Sequence, residues 1–471
     1  MLARTERGRM AETDGAPGVR YRFAEPTLGL PASRRAVVLA AGRSERMRAL
    51  TAGGSKAHLH LGGVSLIERA VGRLLAVGIE DVIVVVGARS TSVERLVQRI
   101  ARHGVRTLFA DRWMDGNGAS LAAAERELVD DPLFVVMVAD HLFSDGATDE
   151  LVAASQPSVL VDEHPDPLIW SEGTRVRIEG GRALEFSKEL SALPVDCGAF
   201  VLSPAIFEAQ RRAAAEGDAS LSAALCRFAA QHPIDALPLP AGAWWHDLDT
   251  PEDVRAARRS LRRSLGKPAD GPVSRLVNRP ISTRICMAIA RLRPNPSVVS
   301  VIALLVCAIG SSLLALGKGI AGGVFVQLGS VVDGVDGEMA RLQYRTSAWG
   351  ALMDGVLDRI GDAMVVAGLT IWAVNAGMIG ASWAIVLAVG ALTGSMLSMA
   401  TKDRIRALGM REPPEDRLRP LLGGRDARLL LIAMAAVVGQ PVWGLIAIVV
   451  TTVATLIARL VSVARRSVDP V

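Results

Sequence analysis

Aromatic residues and cysteines are scarce in this chain. Phe, Trp and Tyr make up 4% of 471 residues, with two tyrosines in all. No basic run is interleaved with aromatics, which argues against base stacking and so against a nucleic-acid ligand. The four cysteines, Cys197, Cys226, Cys286 and Cys307, are far apart and form no CxxC pair. That disfavours a zinc site and a secreted disulfide framework, and it fits a reducing compartment. Charge is also sparse, at 21% of residues. What is abundant is apolar surface: 50% of residues are hydrophobic and the mean hydropathy is +0.32. An ordinary soluble enzyme is less apolar than this, and global disorder is excluded.

The charge is unevenly placed. Up to Pro272 there are 33 basic and 36 acidic residues, a balance of −3; from Val273 onwards there are 20 and 12, a balance of +8. Positive charge beside apolar segments points to a membrane surface or anionic substrates.

Residues 1–33 lack periodicity and lack the apolar core of a secretory signal, so a flexible tail is expected. Residues 34–263 alternate between strand and helix patterns. Ala36–Gly42, Asp81–Gly87, Leu133–Asp140 and Cys197–Pro204 read as buried strands, and Ser65–Gly78 as an amphipathic helix with a Ser start and a Gly stop. This predicts an α/β domain, Rossmann-like, with a mostly parallel sheet and ligands at the carboxyl ends of its strands. Residues 264–273 read as a linker. In Ser274–Leu292, Val277, Ile281, Ile285 and Ile289 recur every four residues among arginines, the pattern of a helix lying on a membrane.

Beyond it the composition becomes that of an all-α transmembrane domain. Six spans are expected, at about 298–316, 319–334, 350–374, 379–400, 428–439 and 441–464. Basic residues cluster in Thr401–Arg428, after the second span at Arg341 and Arg345, and at Arg459, Arg465 and Arg466; the opposite loops carry only Lys318. The positive-inside rule then places both termini and both sites in the cytoplasm.

Within that apolar region stand Asp333, Asp336, Asp354 and Asp358. The first pair is spaced by three and the second by four, so each shares one helical face. Four carboxylates on adjacent membrane helices need neutralising partners. Divalent cations with hard oxygen ligands, Mg2+ or Mn2+, would serve and would polarise a phosphoryl group. Gly337 and Ala340 leave room for a nucleotide, and Arg341 can pair with phosphate. Asp362 continues the face. In the basic loop, Arg417, Arg419 and Arg425 either mark topology or contact an anionic acceptor.

These residues match at every fixed position the signature D-x2-D-G-x2-A-R-x8-G-x3-D-x3-D, so residues 273–458 resemble the CDP-alcohol phosphotransferase family. The resemblance implies a six-helix membrane enzyme, commonly dimeric, that releases CMP from a CDP-linked ester. It implies metal binding by Asp333, Asp336 and Asp354. Asp358 would contact the second metal and act as candidate base for the acceptor hydroxyl.

In the first half, the strand ending at Ala41 runs into Gly42-Arg43-Ser44-Glu45-Arg46-Met47, with Lys56 beyond. A Gly-bearing loop after a strand offers backbone N–H groups to phosphates, and Arg46 and Lys56 add cationic charge. Gly116-Asn117-Gly118 opens a helix where glycines allow close approach to a base and ribose. Asp140 ends a strand, and Asp247 or Asp249 supplies a distant second carboxylate; two such groups can hold one Mg2+ on a nucleoside triphosphate. His58 and His60 read as structural residues flanking the lysine loop, and His103, His164 and His232 show no ligand spacing.

This set resembles the sugar-phosphate nucleotidyltransferases, and within them the inositol-1-phosphate cytidylyltransferases, over residues 35–254. Ser44 and Ser55 stand where the family pattern has glycine and proline. The resemblance implies that Arg46 and Lys56 bind CTP phosphates and that Gly42, Asn117 and Gly118 lie near the nucleotide. Asp140 and Asp247 would bind Mg2+, Lys188 the sugar phosphate, and Asp196 or Gly198 the polyol.

Together the halves resemble the fused inositol-1-phosphate cytidylyltransferase and di-myo-inositol phosphate phosphate synthase family. The expected substrates are CTP, inositol 1-phosphate and CDP-inositol. Two alternatives stand beside this reading: a membrane half making a phospholipid from CDP-diacylglycerol, and a nucleotide-binding membrane scaffold with an inactive first domain, motivated by Ser44.

Overall fold

The computed structural model describes residues 33–42, 47, 55–87, 90–100, 104–267, 270–410 and 424–468. The expected tail up to residue 32, and Ser44, Arg46, His103, Arg417 and Arg419, lie outside the described residues. The chain forms two compact units: among the described residues, the first comprises those up to Pro251 except His60–Val64, which belong with Glu252 onwards to the second.

Among the described residues, the first unit is built on a nine-stranded sheet. Its strands are β1 (Arg35–Ala40), β2 (Asp81–Val86), β3 (Val105–Phe109), β4 (Phe134–Val138), β5 (Ser158–Asp162), β6 (Arg175–Glu179), β7 (Arg182–Ser187), β8 (Val195–Leu202) and β9 (Asp235–Pro238). They lie in the order β3-β2-β1-β4-β8-β5-β9-β7-β6. The β3-β2-β1-β4 part is parallel, and β5 pairs with β9 in parallel. But β8 runs antiparallel to both β4 and β5, and β7 antiparallel to β9 and β6. The sheet is therefore mixed, not mostly parallel. The continuous apolar runs identify the fully buried strands β1, β2 and β4, whereas β6 and β7 carry Arg and Glu on exposed positions and give no such run.

Helix α1 (Leu66–Ala76) begins at a capping box. The Ser65 hydroxyl accepts from Glu68 N at 3.2 Å and the Glu68 carboxylate accepts from Ser65 N at 2.6 Å, satisfying two otherwise orphan donors. Helix α2 (Asn117–Ala122) starts at Gly116, whose φ of 131° is open to glycine and strained for other residues.

The second unit is helical. A turn of π-helix at Ser274–Asn278 leads into α3 (Arg279–Ile289). Six longer elements follow among the described residues: α4 (Pro296–Ala315), α5 (Gly319–Leu342), α6 (Ala348–Asn375), α7 (Ala381–Ala407), α8 (Arg425–Val437) and α9 (Pro441–Val468). Among the described residues, three helices are long and apolar enough to cross a membrane, over Pro296–Ala315, Ala381–Ile405 and Pro441–Arg465. The helices approach closely through small residues. A Cβ at Gly310 would lie 2.8 Å from Val326 N, and one at Gly368 2.5 Å from the Ser311 carbonyl oxygen. Outward positions carry exposed Ile302, Leu305, Ile309, Ile385, Val386, Val389, Val450 and Ile457. On α3 the exposed positions include Ile281 and Ile285, while Ser282, Thr283 and Cys286 are buried.

Candidate functional sites

The first site lies where β1 and β4, adjacent and parallel, end side by side. A cavity of about 350 Å3 there is lined by Gly42, Ser55, Lys56, Asn117, Asp140 and Asp249, among others. Among the described residues, nothing lies within 4 Å of where a Cβ at Gly42 would stand. Lys56 sits on a short 3-10 turn whose cap is Ser55, the hydroxyl accepting from Ala57 N at 3.2 Å. Serine in place of the family's proline is thus accommodated as a capping residue.

Lys56 Nζ donates to Asp140 Oδ2 at 3.2 Å and also bonds Asp249. Burial works against the ammonium, but the carboxylates of Asp140, Asp249 and Asp247 prevail and hold it charged, above its ordinary pKa. Asp140 is correspondingly lowered: burial opposes its ionisation, and neighbouring His141 and Lys56 overcome it. Asp247 comes from the short strand Trp245–Asp247, which pairs with His141–Phe143. His141 Nδ1 lies 2.7 Å from the Cys197 carbonyl and Nε2 3.7 Å from Asp247. Burial disfavours the imidazolium, yet Asp247 and Asp140 push it up to about 9.

Carboxylate or ring ligand atoms of Asp140, His141 and Asp247 all lie within 4.8 Å of one another. With the His141 proton released in exchange for the ion, two carboxylates and one imidazole suit a divalent cation, so the donor set fits the metal that nucleotidyltransferases use. Of the two competing second carboxylates, Asp247 joins this group and Asp249 joins Lys56. His141 was not among the ligands foreseen from the sequence.

Gly118 makes its close approach to protein: a Cβ there would stand 2.6 Å from the Ala219 carbonyl oxygen. Lys188 is exposed just past β7, and its carbonyl accepts from Arg175. Its charge favours ionised Asp196, whose pKa burial nevertheless raises to about 6. Asp196 accepts from Gly198 N at 2.9 Å.

The second site is carried by α5 and α6. Carboxylate oxygens of Asp333 and Asp336 on α5 and Asp354 on α6 lie within 4.8 Å of one another. An all-carboxylate set fits a hard divalent cation. Asp336 is oriented by the Ser300 hydroxyl of α4 and by Gly337 N. Asp358 is reached through Arg425, the first residue of α8: its Nη1 is 2.7 Å from Asp358 Oδ1 and 2.7 Å from Asp333 Oδ2. Asp362 is held by Arg425 Nε at 3.1 Å, Arg428 Nη2 at 3.3 Å and Ser395 Oγ at 2.7 Å, which gives it a bracing place behind the other carboxylates.

A cavity of about 370 Å3 opens on this group, lined among others by Gly337, Arg341, Lys402, Arg425, Asp426 and Arg459. Arg341 Nη2 donates to the Leu265 carbonyl at 2.7 Å, and its buried Nε has no partner among the described residues. Arg341 itself lines the cavity, where its positive charge suits an anionic ligand. Ala340 is half-buried beside it. Behind this wall Arg279 of α3 bonds Asp270 at 2.7 Å and Glu338, which is fully buried, at 2.7 Å. Neither this brace nor the Arg425 clamp was foreseen. Arg425 and Arg428 precede an apolar run at helical spacing, a signal shared with ordinary topology-setting residues.

Comparison with known proteins finds a matching domain in each half of the chain. Residues 36–233 match the model of the MobA-like NTP transferase domain, and residues 293–419 that of CDP-alcohol phosphatidyltransferase. The Bifunctional IPC transferase and DIPP synthase of Rubrobacter xylanophilus is 36% identical over 416 residues, covering 86% of this chain and 91% of its own. Its namesakes in Aquifex aeolicus and Thermococcus kodakarensis are 30% and 31% identical, covering 92% and 89% of their own lengths. With a nucleotidyltransferase domain followed by a CDP-alcohol phosphotransferase domain over nearly the full length of these relatives, the chain belongs to the family of bifunctional IPC transferases and DIPP synthases.

Proposed function

We propose that the chain makes CDP-inositol and then consumes it. In the first step the phosphate of inositol 1-phosphate attacks the α-phosphorus of CTP, forming CDP-inositol and expelling pyrophosphate. Residues 34–263 would carry this step, with residues 264–273 as linker. Arg46 and Lys56 would neutralise the triphosphate, and Gly42, Asn117 and Gly118 would border the nucleotide. Asp140 and Asp247 would hold Mg2+, or Mn2+, which polarises the α-phosphoryl group. Lys188 would meet the sugar phosphate, and Asp196 or Gly198 the polyol. The closeness of Asp140 to Asp247 supports this assignment.

In the second step, carried by residues 274–471, a hydroxyl of another inositol 1-phosphate attacks the inositol-bearing phosphorus of CDP-inositol. Di-myo-inositol phosphate phosphate forms and CMP leaves. Asp333, Asp336, Asp354 and Asp358 would hold the cations that stabilise in-line displacement. Asp358 would also take the acceptor proton. Gly337, Ala340 and Arg341 would border the CDP moiety, and Lys402 and Arg459 face the cavity where an acceptor phosphate would sit. The observation that carries the reading is the three-carboxylate cluster opening on that cavity.

The apolar outward positions of α4, α7 and α9 support burial in a lipid bilayer, as do Ile281 and Ile285 on α3 for a helix lying at its surface. Six spans, cytoplasmic termini and sites, and a homodimer through the membrane domain complete the proposal. Incubating the protein with CTP and labelled inositol 1-phosphate tests it. A water-soluble di-inositol product with CMP and pyrophosphate is expected. A labelled product formed only with CDP-diacylglycerol and extracted into organic solvent would instead support phospholipid synthesis.

A further inference from the structure

A directional chain of hydrogen bonds crosses the wall of the second cavity and ends on a carboxylate. Gln327 Nε2 donates to Asn278 Oδ1 at 2.7 Å, Asn278 Nδ2 to Ser330 Oγ at 3.0 Å, and Ser330 Oγ to Asp426 Oδ1 at 3.1 Å. Asn278 and Ser330 are 3% and 2% exposed. The sense of each link fixes the next. Gln327 occupies the amide oxygen of Asn278, so the Asn278 amino group turns to Ser330. The single hydroxyl hydrogen of Ser330 is then left for Asp426. Buried polar side chains in a helical bundle carry a desolvation cost, so a chain that delivers its last donor to one carboxylate fixes that carboxylate in place.

Asn278, Ser330 and Asp426 all line the cavity. Asp426 Oδ1 is anchored, and no other hydrogen bond to Asp426 is formed among the described residues, so Oδ2 is available to a ligand. Asp426 follows Arg425, the residue that grips Asp358, and it lines the same cavity as Asp358, the carboxylate assigned to the acceptor hydroxyl. A carboxylate only accepts hydrogen bonds: it pairs with hydroxyls and repels phosphate. Lys402 and Arg459, on the same cavity, are suited to phosphate and not to hydroxyl discrimination.

We propose that Asp426 is a specificity residue of the second reaction, accepting hydrogen bonds from ring hydroxyls of a cyclitol phosphate acceptor, with Ser330 and Asn278 as positioning residues. The inference rests on the proposed function of this half.

The test is CMP release by the full-length protein from CDP-inositol and inositol 1-phosphate, each varied in turn, for wild type, Asp426→Asn and Ser330→Ala. In Asp426→Asn the KM for inositol 1-phosphate should rise roughly 10- to 100-fold, and in Ser330→Ala by less, with the KM for CDP-inositol unchanged in both. An unchanged acceptor KM, or an equal rise in both KM values, overturns the proposal. Ser330→Ala carries the same comparison if Asp426→Asn fails to fold. Wild-type protein that released no CMP would contradict the function of this half itself, a separate result from a wild type that turns over with an insensitive Asp426.

Discussion

The guanidinium of Arg425 stands 2.7 Å from the carboxylate of Asp358, joining the start of α8 to the middle of α6. The same guanidinium binds Asp333 and Asp362, so one cation ties together carboxylates from α5 and α6. Removing it would leave buried carboxylates uncompensated. Arg425→Ala should lower CMP release by about 100-fold or more and destabilise the helical unit by about 3–5 kcal/mol. Pyrophosphate release from CTP should persist. Loss of both activities in protein that remains folded would contradict the separate assignment.

The two sites draw on carboxylates from different units, so their losses should separate. Asp140→Ala should abolish CDP-inositol formation while added CDP-inositol is still consumed. Asp358→Ala should do the reverse. Assaying the two half-reactions with each variant checks both, and a single substitution that removed both activities in folded protein would argue against two sites.

Asp270 is held below the ordinary carboxylate range. Burial raises its pKa, but the hydrogen bonds and charge of Arg279, with Lys267 N, outweigh burial. A carboxyl depressed in the folded state stabilises above its unfolded pKa of about 3.9, and that contribution fades as pH falls through the lower folded value. Wild type should therefore melt above Asp270→Asn at pH 7, and the gap should close below about pH 4. A gap independent of pH would mean the pair contributes through packing alone.

Gly118 tests packing against ligand proximity. A Cβ at this position would press on the Ala219–Ser220 backbone, which cannot move aside as a side chain tip could. Gly118→Ala should cost about 1–3 kcal/mol of stability in the first unit, read by thermal denaturation without nucleotide. A variant of unchanged stability but raised KM for CTP would place the constraint in the nucleotide pocket.

The parts legible in the sequence were those with one physical cause. Strands β1, β2 and β4 are buried on both faces and so appear as unbroken apolar runs. The spaced carboxylates stand out because charge is rare among apolar neighbours, and the structure gathers Asp333, Asp336 and Asp354 from two helices. Less visible were features set by tertiary pairing. The antiparallel insertion of β8 between β4 and β5 leaves no local mark. The Asp140-His141 pair is visible in the sequence, but the place of His141 beside Asp247 shows only when the strand Trp245–Asp247 is laid beside it. Glu338 lies inside the aspartate motif, but its partner Arg279 is 59 residues away.

The most direct test of the account is CMP release from CDP-inositol by metal-stripped full-length protein, before and after adding back Mg2+. No CMP without metal, recovery on titration, and no recovery in Asp333→Asn or Asp354→Asn are predicted. Full activity in the stripped protein, or recovery in either variant equal to wild type, would contradict the claim that carboxylates of α5 and α6 jointly hold the reacting diphosphate's cations.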